Sequence, residues 1–409
     1  MYKTPKLRFK EFSGDWEQKK LHQISDVLSG KRVPKGMNLV GYDTGIPYIT
    51  VSDMGNKHID ISKLKYITPE IEAYIKKYKV LTNDIIISVA GTLGKINLIQ
   101  SELENANLTE NCDKITNLRN TDYKYLYYYL NTGNIQNQIS SVNTISSQPK
   151  LALACIRDFD IYIPNLKEQE KIASFFSVID DKISLQGQKV EDLKDYKKGM
   201  MQKIFSRELR FKDDEGRDYP EWEEKKLGEI TSLVKDGSHG THVDVKDGPY
   251  LLSAKNIKDG KIIITDNERR ISYDEYNKIY NNYKLKEGDI LLSIVGTIGR
   301  LAIAPKVDNI AFQRSVAILR FNDINEHYII QFMNTNQFQN ELVTRQVISA
   351  QPGIYLNDLK KMKIIIPCIE EQKKIADLLG NLDEKINKEQ EKLNSLNEYK
   401  RGLLQQMFM

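Results

Sequence analysis

The chain is one unit of about two hundred residues written twice, so whatever the first copy folds into, the second must fold into as well. The register is set by IYIPNLKEQEKIA at 161–173 and IIIPCIEEQKKIA at 364–376, an offset of 203. The same offset carries Asp180, Lys182 and Ile183 onto Asp383, Lys385 and Ile386. It carries Tyr196, Lys197, Gly199, Gln202 and Phe205 onto Tyr399, Lys400, Gly402, Gln405 and Phe408. Nearer each start the offset drifts by a few residues, as loop insertions would cause: NDIIISVAGTLGK at 83–95 matches GDILLSIVGTIGR at 288–300. Each copy opens with LRFK, at Leu7 and Leu209, followed by W-E-x-K-K-L, at Trp16 and Trp222. The copies part company at 29–45 against 235–247 and at 53–80 against 255–285. A repeat kept for stability alone has no need of divergent loops. Two modules doing the same job on different targets do need them.

The shared ends of the copies read as long helices. Residues Ile172, Phe176, Ile179, Ile183, Val190 and Leu193 alternate in steps of four and three around a polar break at Gln186. Ile375, Leu379, Leu382, Ile386, Leu393 and Leu396 repeat the pattern around Glu389. That spacing is a heptad seam, and the matched interruptions, including Lys197 with Lys400, are the kind that fix register and orientation. Pro164 and Pro367 stand just before each helix and end a short strand. A helix of about 40 residues is roughly 60 Å long. It overhangs a module of about 150 residues, whose diameter is near 30 Å. The expected solution is an antiparallel helix pair with a pseudo-twofold axis between the copies. The expected boundaries are 1–160 and 208–363 for the modules, with helices at 161–207 and 364–409.

The modules read as α/β units on a small, twisted, mostly antiparallel sheet, giving an α+β chain. IPYITVS, GPYLLSA, DIIISVAG and DILLSIVG read as strands, and YKYLYYYLNT and HYIIQFMNT as helices. Composition bounds the function. Hydrophobic residues are 40% and charged residues 28%, ordinary for a globular protein, and no apolar run is long enough to span a bilayer. The opening MYKTPKLRFKEF has no signal-peptide character, and Cys112, Cys155 and Cys368 form no CxxC, so a reduced cytoplasmic protein is expected. Net charge is +4, mild for a protein that holds DNA unaided.

Several motifs fail as catalytic sites. The G-T-[LI]-G-[KR] turn has Val89 and Ile96 where a phosphate loop needs glycine and serine or threonine. His239-Gly-Thr-His242 lacks a third ligand and has no counterpart in copy 1, where Gly30-Lys31-Arg32-Val33-Pro34-Lys35 stands instead, so no metal is expected. E-x-K at Glu17/Lys19 and Glu223/Lys225 has no acidic partner upstream in both copies.

The P-x-x-x-E-Q-x-K-I-A starts at Pro164 and Pro367, the W-E-x-K-K-L openings and the D-[IL]-[IL]-[IL]-S-x-x-G-T-[LI]-G-[KR] strands resemble the specificity subunit of Type I restriction-modification enzymes, over essentially the whole chain. The resemblance implies a non-catalytic subunit that binds double-stranded DNA. It implies two modification subunits docked on the helix pair and restriction subunits that complete a nuclease. S-adenosylmethionine, ATP and magnesium are then expected on the partners and no cofactor on this chain. It also implies a bipartite target with a fixed gap. The competing reading is a scaffold of two ligand modules that does not act on DNA.

Candidate DNA contacts follow from loop position and side-chain type. Lys31, Arg32 and Lys35 suit guanine or phosphate, while Ser238, His239, Thr241 and His242 suit base edges. Ser52, Lys57, Lys255 and Asn256 lie in or beside the second divergent stretch. Thr92, Lys95, Thr297 and Arg300 belong to the glycine turns, and Ser147, Gln148, Lys150 and Gln351 to the S-x-Q-P loops.

Overall fold

Proline cannot donate to a strand ladder, and Pro164 and Pro367 each follow a four-residue strand, Asp160–Ile163 and Lys363–Ile366. Each of these strands pairs antiparallel with the strand of its own W-E-x-K-K-L opening. The registers are Lys19 opposite Ile161 and Lys225 opposite Ile364. The first and last segments of each module are thereby zipped together, and the chain enters a long helix at the same place twice. These helices are Leu166–Phe205 and Ile369–Met407. The structure, a computed structural model, describes residues 4–142, 150–306, 308–347 and 352–409.

The chain divides into two compact units. One holds Met1–Gly187 with Glu391–Met409, and the other Gln188–Gln390. Each unit thus contains one module, the first half of that module's own helix and the last turns of the other helix.

In the first unit, strands Asp26–Ser29, Cys112–Thr116, Ile85–Ser88 and Ile96–Leu98 form an antiparallel sheet in that spatial order. Side chains alternate across a strand, and the run of isoleucines uses both faces. Ile85 and Ile87 pack with the helix Tyr123–Leu130 and the base of the long helix, while Ile86 packs with Ile49, Leu108 and Cys112. The second unit repeats this with Thr231–Asp236, Val316–Phe321, Ile290–Ser293 and Leu301–Ile303. There Ile290 and Leu292 face one cluster and Leu291 the other. The expectation of mostly antiparallel pairing needs one addition. Each module also has a parallel pair, Tyr48 opposite Asn107 and Tyr250 opposite Ile310. Partners some sixty residues apart leave no local pattern to read.

The motifs shared by the two copies meet in space. Glu168, of P-x-x-x-E-Q, is 0% exposed and accepts from Arg8 Nε at 2.7 Å, from Arg8 Nη2 at 2.8 Å and from Trp16 Nε1 at 3.4 Å. Glu371, also 0% exposed, accepts from Arg210 Nη2 at 3.0 Å and Trp222 Nε1 at 2.8 Å. A carboxylate stripped of water is tolerated only when paired and hydrogen-bonded in this way, so LRFK, the tryptophan and the glutamate are one device. Its neighbour Gln169 donates to the Pro164 carbonyl and accepts from the Asp122 amide; Gln372 does the same with Pro367 and Asn325.

Within each unit the two helix segments run antiparallel. In the first unit Phe176 lies 5.7 Å from Phe408, and Lys400 pairs with Asp180 at 2.5 Å. In the second, Lys189 pairs with Glu389 and Lys197 with Asp383, both at 2.6 Å. Residue numbers rise along one segment as they fall along the other. The polar breaks Lys197 and Lys400 therefore make the same bond at matched positions. Each module also receives the tip of the other copy's helix. Phe408 packs on Tyr125 and Tyr129, and Phe205 on Tyr328 and Phe332.

The seam is buried unevenly. Ile172, Phe176, Ile179, Val190, Ile375 and Leu379 are buried, whereas Ile183, Leu193, Leu382, Ile386, Leu393 and Leu396 are only partly covered. Two helices touch along one line, so full burial comes mainly where a module packs over the pair.

Candidate nucleic-acid interface

The divergent loops hang from an identical anchor. A Cβ at Gly30 would lie 2.0 Å from the Thr109 carbonyl oxygen, and one at Gly237 2.1 Å from that of Phe312. Only glycine allows this approach. The next amides are then pinned alike, Lys31 N–H to Leu108 O at 2.7 Å and Ser238 N–H to Phe312 O at 2.8 Å. Beyond the anchor the copies differ. Lys31, Arg32 and Lys35 are exposed, and Arg32 pairs with Glu110. Burial pushes the Glu110 carboxyl up, but hydrogen bonds led by that from Arg32 outweigh it and hold it below the ordinary range. In the second module His242 Nε2 lies 2.6 Å from Ser238 Oγ and His239 Nε2 2.5 Å from Asp236 Oδ2, with Thr241 exposed. The two histidines thus take separate partners. Among the described residues no three His, Cys, Asp or Glu side chains are grouped to hold a metal.

A second pair of matched elements is the 3-10 turns Val51–Asp53 and Ala254–Asn256. Asp53 accepts from the Thr50 amide at 2.8 Å and Asn256 from the Ser253 amide at 3.0 Å. The middle residues, Ser52 and Lys255, are exposed. Asn256 is 2% exposed and donates to Ile263 O at 3.0 Å, so it shapes the turn and presents no edge. Lys57 reaches Asp180 at 3.0 Å and Tyr128 Oη at 3.2 Å. Loop position alone did not anticipate the placement of Lys57, because Tyr128 and Asp180 are distant in sequence.

The glycine turns are closed on themselves. Ser88 Oγ donates to Thr92 O at 2.5 Å and accepts from the Lys95 amide at 2.9 Å, and Ser293 accepts from Arg300 N–H at 2.8 Å. Gln136 and Gln339 donate to Gly94 and Gly299 carbonyls, both at 3.1 Å. The Lys95 ammonium donates to Met54 O, and Arg300 Nη1 lies 3.5 Å from Ala254 O, so each cation braces the neighbouring 3-10 turn. Thr92 and Thr297 are exposed at the turn tips, and Lys150 is exposed beside Ala90, with which it forms a β-bridge. Ser147, Gln148 and Gln351 lie outside the described residues.

In the second module these pieces converge. Lys255, Asn256, Thr297 and Arg300 line one depression of about 700 Å³ together with Lys258, Glu268, Gln313 and Ser315. Four predicted residues from two distant stretches meet there. Glu268, Gln313 and Lys258 were not anticipated. Gln313 could have been, since it directly follows a strand shared by both copies. His239 lines a separate depression of about 430 Å³ with Asp236, Arg314 and Tyr355.

Comparison with known proteins bears on what this surface is. The model of the "Type I restriction modification DNA specificity domain" matches twice, over residues 13–195 and 219–398. The chain belongs to the Type I restriction-modification DNA specificity family. It is 26% identical over 428 aligned residues to the Type I restriction enzyme MjaVIII specificity subunit of Methanocaldococcus jannaschii, covering 97% of this chain and 94% of that one. It is 30% identical over 161 residues to the EcoBI specificity subunit of Escherichia coli, covering 38% of this chain and 34% of that one. Among solved structures, the S subunit of the M. genitalium Type I system superposes with a TM-score of 0.57 at 17% identity, covering 99% of both chains. A chain from a structure of a Type I system's assembly gives 0.59 at 16%, covering 95% of this chain and 96% of that one. At such identities the likeness establishes the fold. As a specificity-family chain, this one carries the shared motifs in its frame, at Glu168 and Glu371, and the unshared residues in its loops.

Proposed function

We propose that this specificity chain is the DNA-reading, non-catalytic subunit of a Type I restriction-modification complex. Each module reads one half of a bipartite target, and the helix pair sets the number of unread base pairs between the halves. The observation that carries this reading is the contrast at Gly30 and Gly237, where one anchor presents two unrelated loops. Lys31, Arg32, Lys35, Ser52, Thr92 and Lys150 are the exposed polar residues offered by the first module. His239, Thr241, Lys255 and Thr297 are those of the second, with the half-buried Ser238, Arg300 and His242 behind them. Such groups satisfy base edges in a major groove and phosphates beside it.

The helix pair is the docking surface for two modification subunits, with restriction subunits joining them. Its central seam is incompletely covered, and the matched residues Tyr196 and Tyr399 are 57% and 58% exposed. Matched surfaces suit two copies of one partner. The methyl donor S-adenosylmethionine, ATP and magnesium belong to those partners. A net charge of +4 then suffices here, because partner subunits supply the rest of the phosphate grip.

The test is selection of duplexes from a random pool by the full-length chain. A consensus of two separated half-sites is expected. Binding that falls with salt yet selects no sequence would overturn the reading.

A further inference from the structure

The depression of the second module contains a charged pair that the first module lacks. Glu268 is only 8% exposed, while its partner Lys255, 2.9 Å away, is 65% exposed. The carboxylate also faces the Thr265 hydroxyl, 3.2 Å from Oε1. The interaction with Lys255 outweighs the effect of burial and holds its carboxyl below the ordinary range. The matched positions in the first module follow from its elements. Ser52 is the middle residue of its 3-10 turn, as Lys255 is of the second. Leu64 stands four residues before the helix-capping Thr68, as Glu268 stands four before the helix-capping Ser272. Leu64 is buried. Where the first module has Ser52 and the buried Leu64, the second has an ammonium and a carboxylate. The two positions differ together.

A covered carboxylate in place of a core leucine costs stability unless it is paired, so a packing role does not explain it. A phosphate contact does not explain it either. A lysine that grips phosphate gains nothing from a negative group at its back, which weakens its attraction for an anion. What the carboxylate does is restrict a long side chain that otherwise samples many rotamers. A fixed ammonium keeps two N–H groups free and directed, which suits a neutral acceptor edge. In the major groove the edge with two adjacent acceptors is guanine, through O6 and N7.

We infer that Lys255, aimed by Glu268 as a positioning residue, reads a guanine in the half-site of the second module, at a position where the first module has no equivalent reader. This rests on the DNA-reading function proposed above. The inference names the base class that the depression takes and separates Lys255 from cations that only hold the backbone.

The experiment is duplex selection by the full-length chain, wild type, Lys255→Ser and Glu268→Gln. Wild type is expected to select guanine at a position where Lys255→Ser loses the preference by about 5- to 50-fold. The other half-site should be unchanged. Glu268→Gln, which removes the charge and keeps the shape, is expected to lose part of the same preference while binding random duplex at least as tightly, since it adds one net positive charge. A structural role for the pair would lower binding to all sequences alike, and a phosphate role would lower the salt dependence without moving the consensus. Either result overturns the inference, as does loss of a preference for any base other than guanine. If wild type selects two half-sites and the variants do not alter them, only this inference fails. If wild type selects nothing, the functional reading itself fails.

Discussion

The two modules differ least where they are buried and most where they are exposed. Arg8, Trp16 and Glu168 in one are Arg210, Trp222 and Glu371 in the other, down to the same donors on the same carboxylate. Two residues past a shared glycine, the first module shows Arg32 and the second His239. The comparison teaches that the repeat preserves a frame and frees a surface. Changes to the frame should damage both modules equally, and changes to the surface should damage neither fold.

The largest effect is expected in the frame. Glu168→Ala leaves Arg8 and Trp16 facing a void without their acceptor, and should lower unfolding stability by about 3–5 kcal/mol. Glu371→Ala should do the same to the second module, seen as loss of a cooperative transition in urea. A marked inequality between the two would break the equivalence of the frames. Next comes the anchor. Gly30→Ala and Gly237→Ala place a methyl group against a carbonyl oxygen, so each should cost about 1–3 kcal/mol and disturb one half-site only, in melting and duplex selection respectively.

A smaller effect distinguishes the helix ends. The Asp180 carboxyl is pushed up by burial, but hydrogen bonds from Lys400, Tyr128 and Lys57 outweigh this and hold it below its ordinary value. A carboxylate with a depressed folded pKa stabilises above its unfolded pKa of about 3.9 and loses that contribution as pH falls through the folded value. Asp180→Asn should therefore lower the melting temperature at pH 7 and have a shrinking effect below about pH 4. An equal effect at all pH values would show that the bond counts only as packing. Smallest is the exposed tip. Thr92→Ala and Thr297→Ala should leave stability within about 0.5 kcal/mol of wild type while weakening duplex binding.

Much of this was legible in the sequence, for a physical reason. The repeat register, the strands ending at Pro164 and Pro367 and the antiparallel segments all rest on local periodicity or on the duplication. The heptad pattern located the seam but not its uneven burial, because coverage of Leu193 or Ile386 depends on what packs over the pair. Loop position brought Lys255, Thr297 and Arg300 to one depression. It could not show that the Lys95 and Arg300 cations turn inward to carbonyls, that Asn256 serves its own turn, or that Lys57 is engaged by Asp180. The three cations depend on partners tens of residues away, and Asn256 on the way the chain turns back to Ile263. Glu268 was missed because a single acidic residue in a polar stretch carries no sign of being covered.

The central claim is that the choice of bases resides in the divergent segments, while Thr92, Lys150 and Thr297 meet phosphates beside them and the rest is frame. Replacing residues 29–45 and 52–80 by 236–247 and 255–285 in the full-length chain, so that Gly237 takes the place of Gly30 and Lys255 that of Ser52, followed by duplex selection, tests it most directly. The account predicts a folded protein whose consensus carries the second half-site in both halves with the gap unchanged. Retention of the original first half-site by that folded chimera would contradict it.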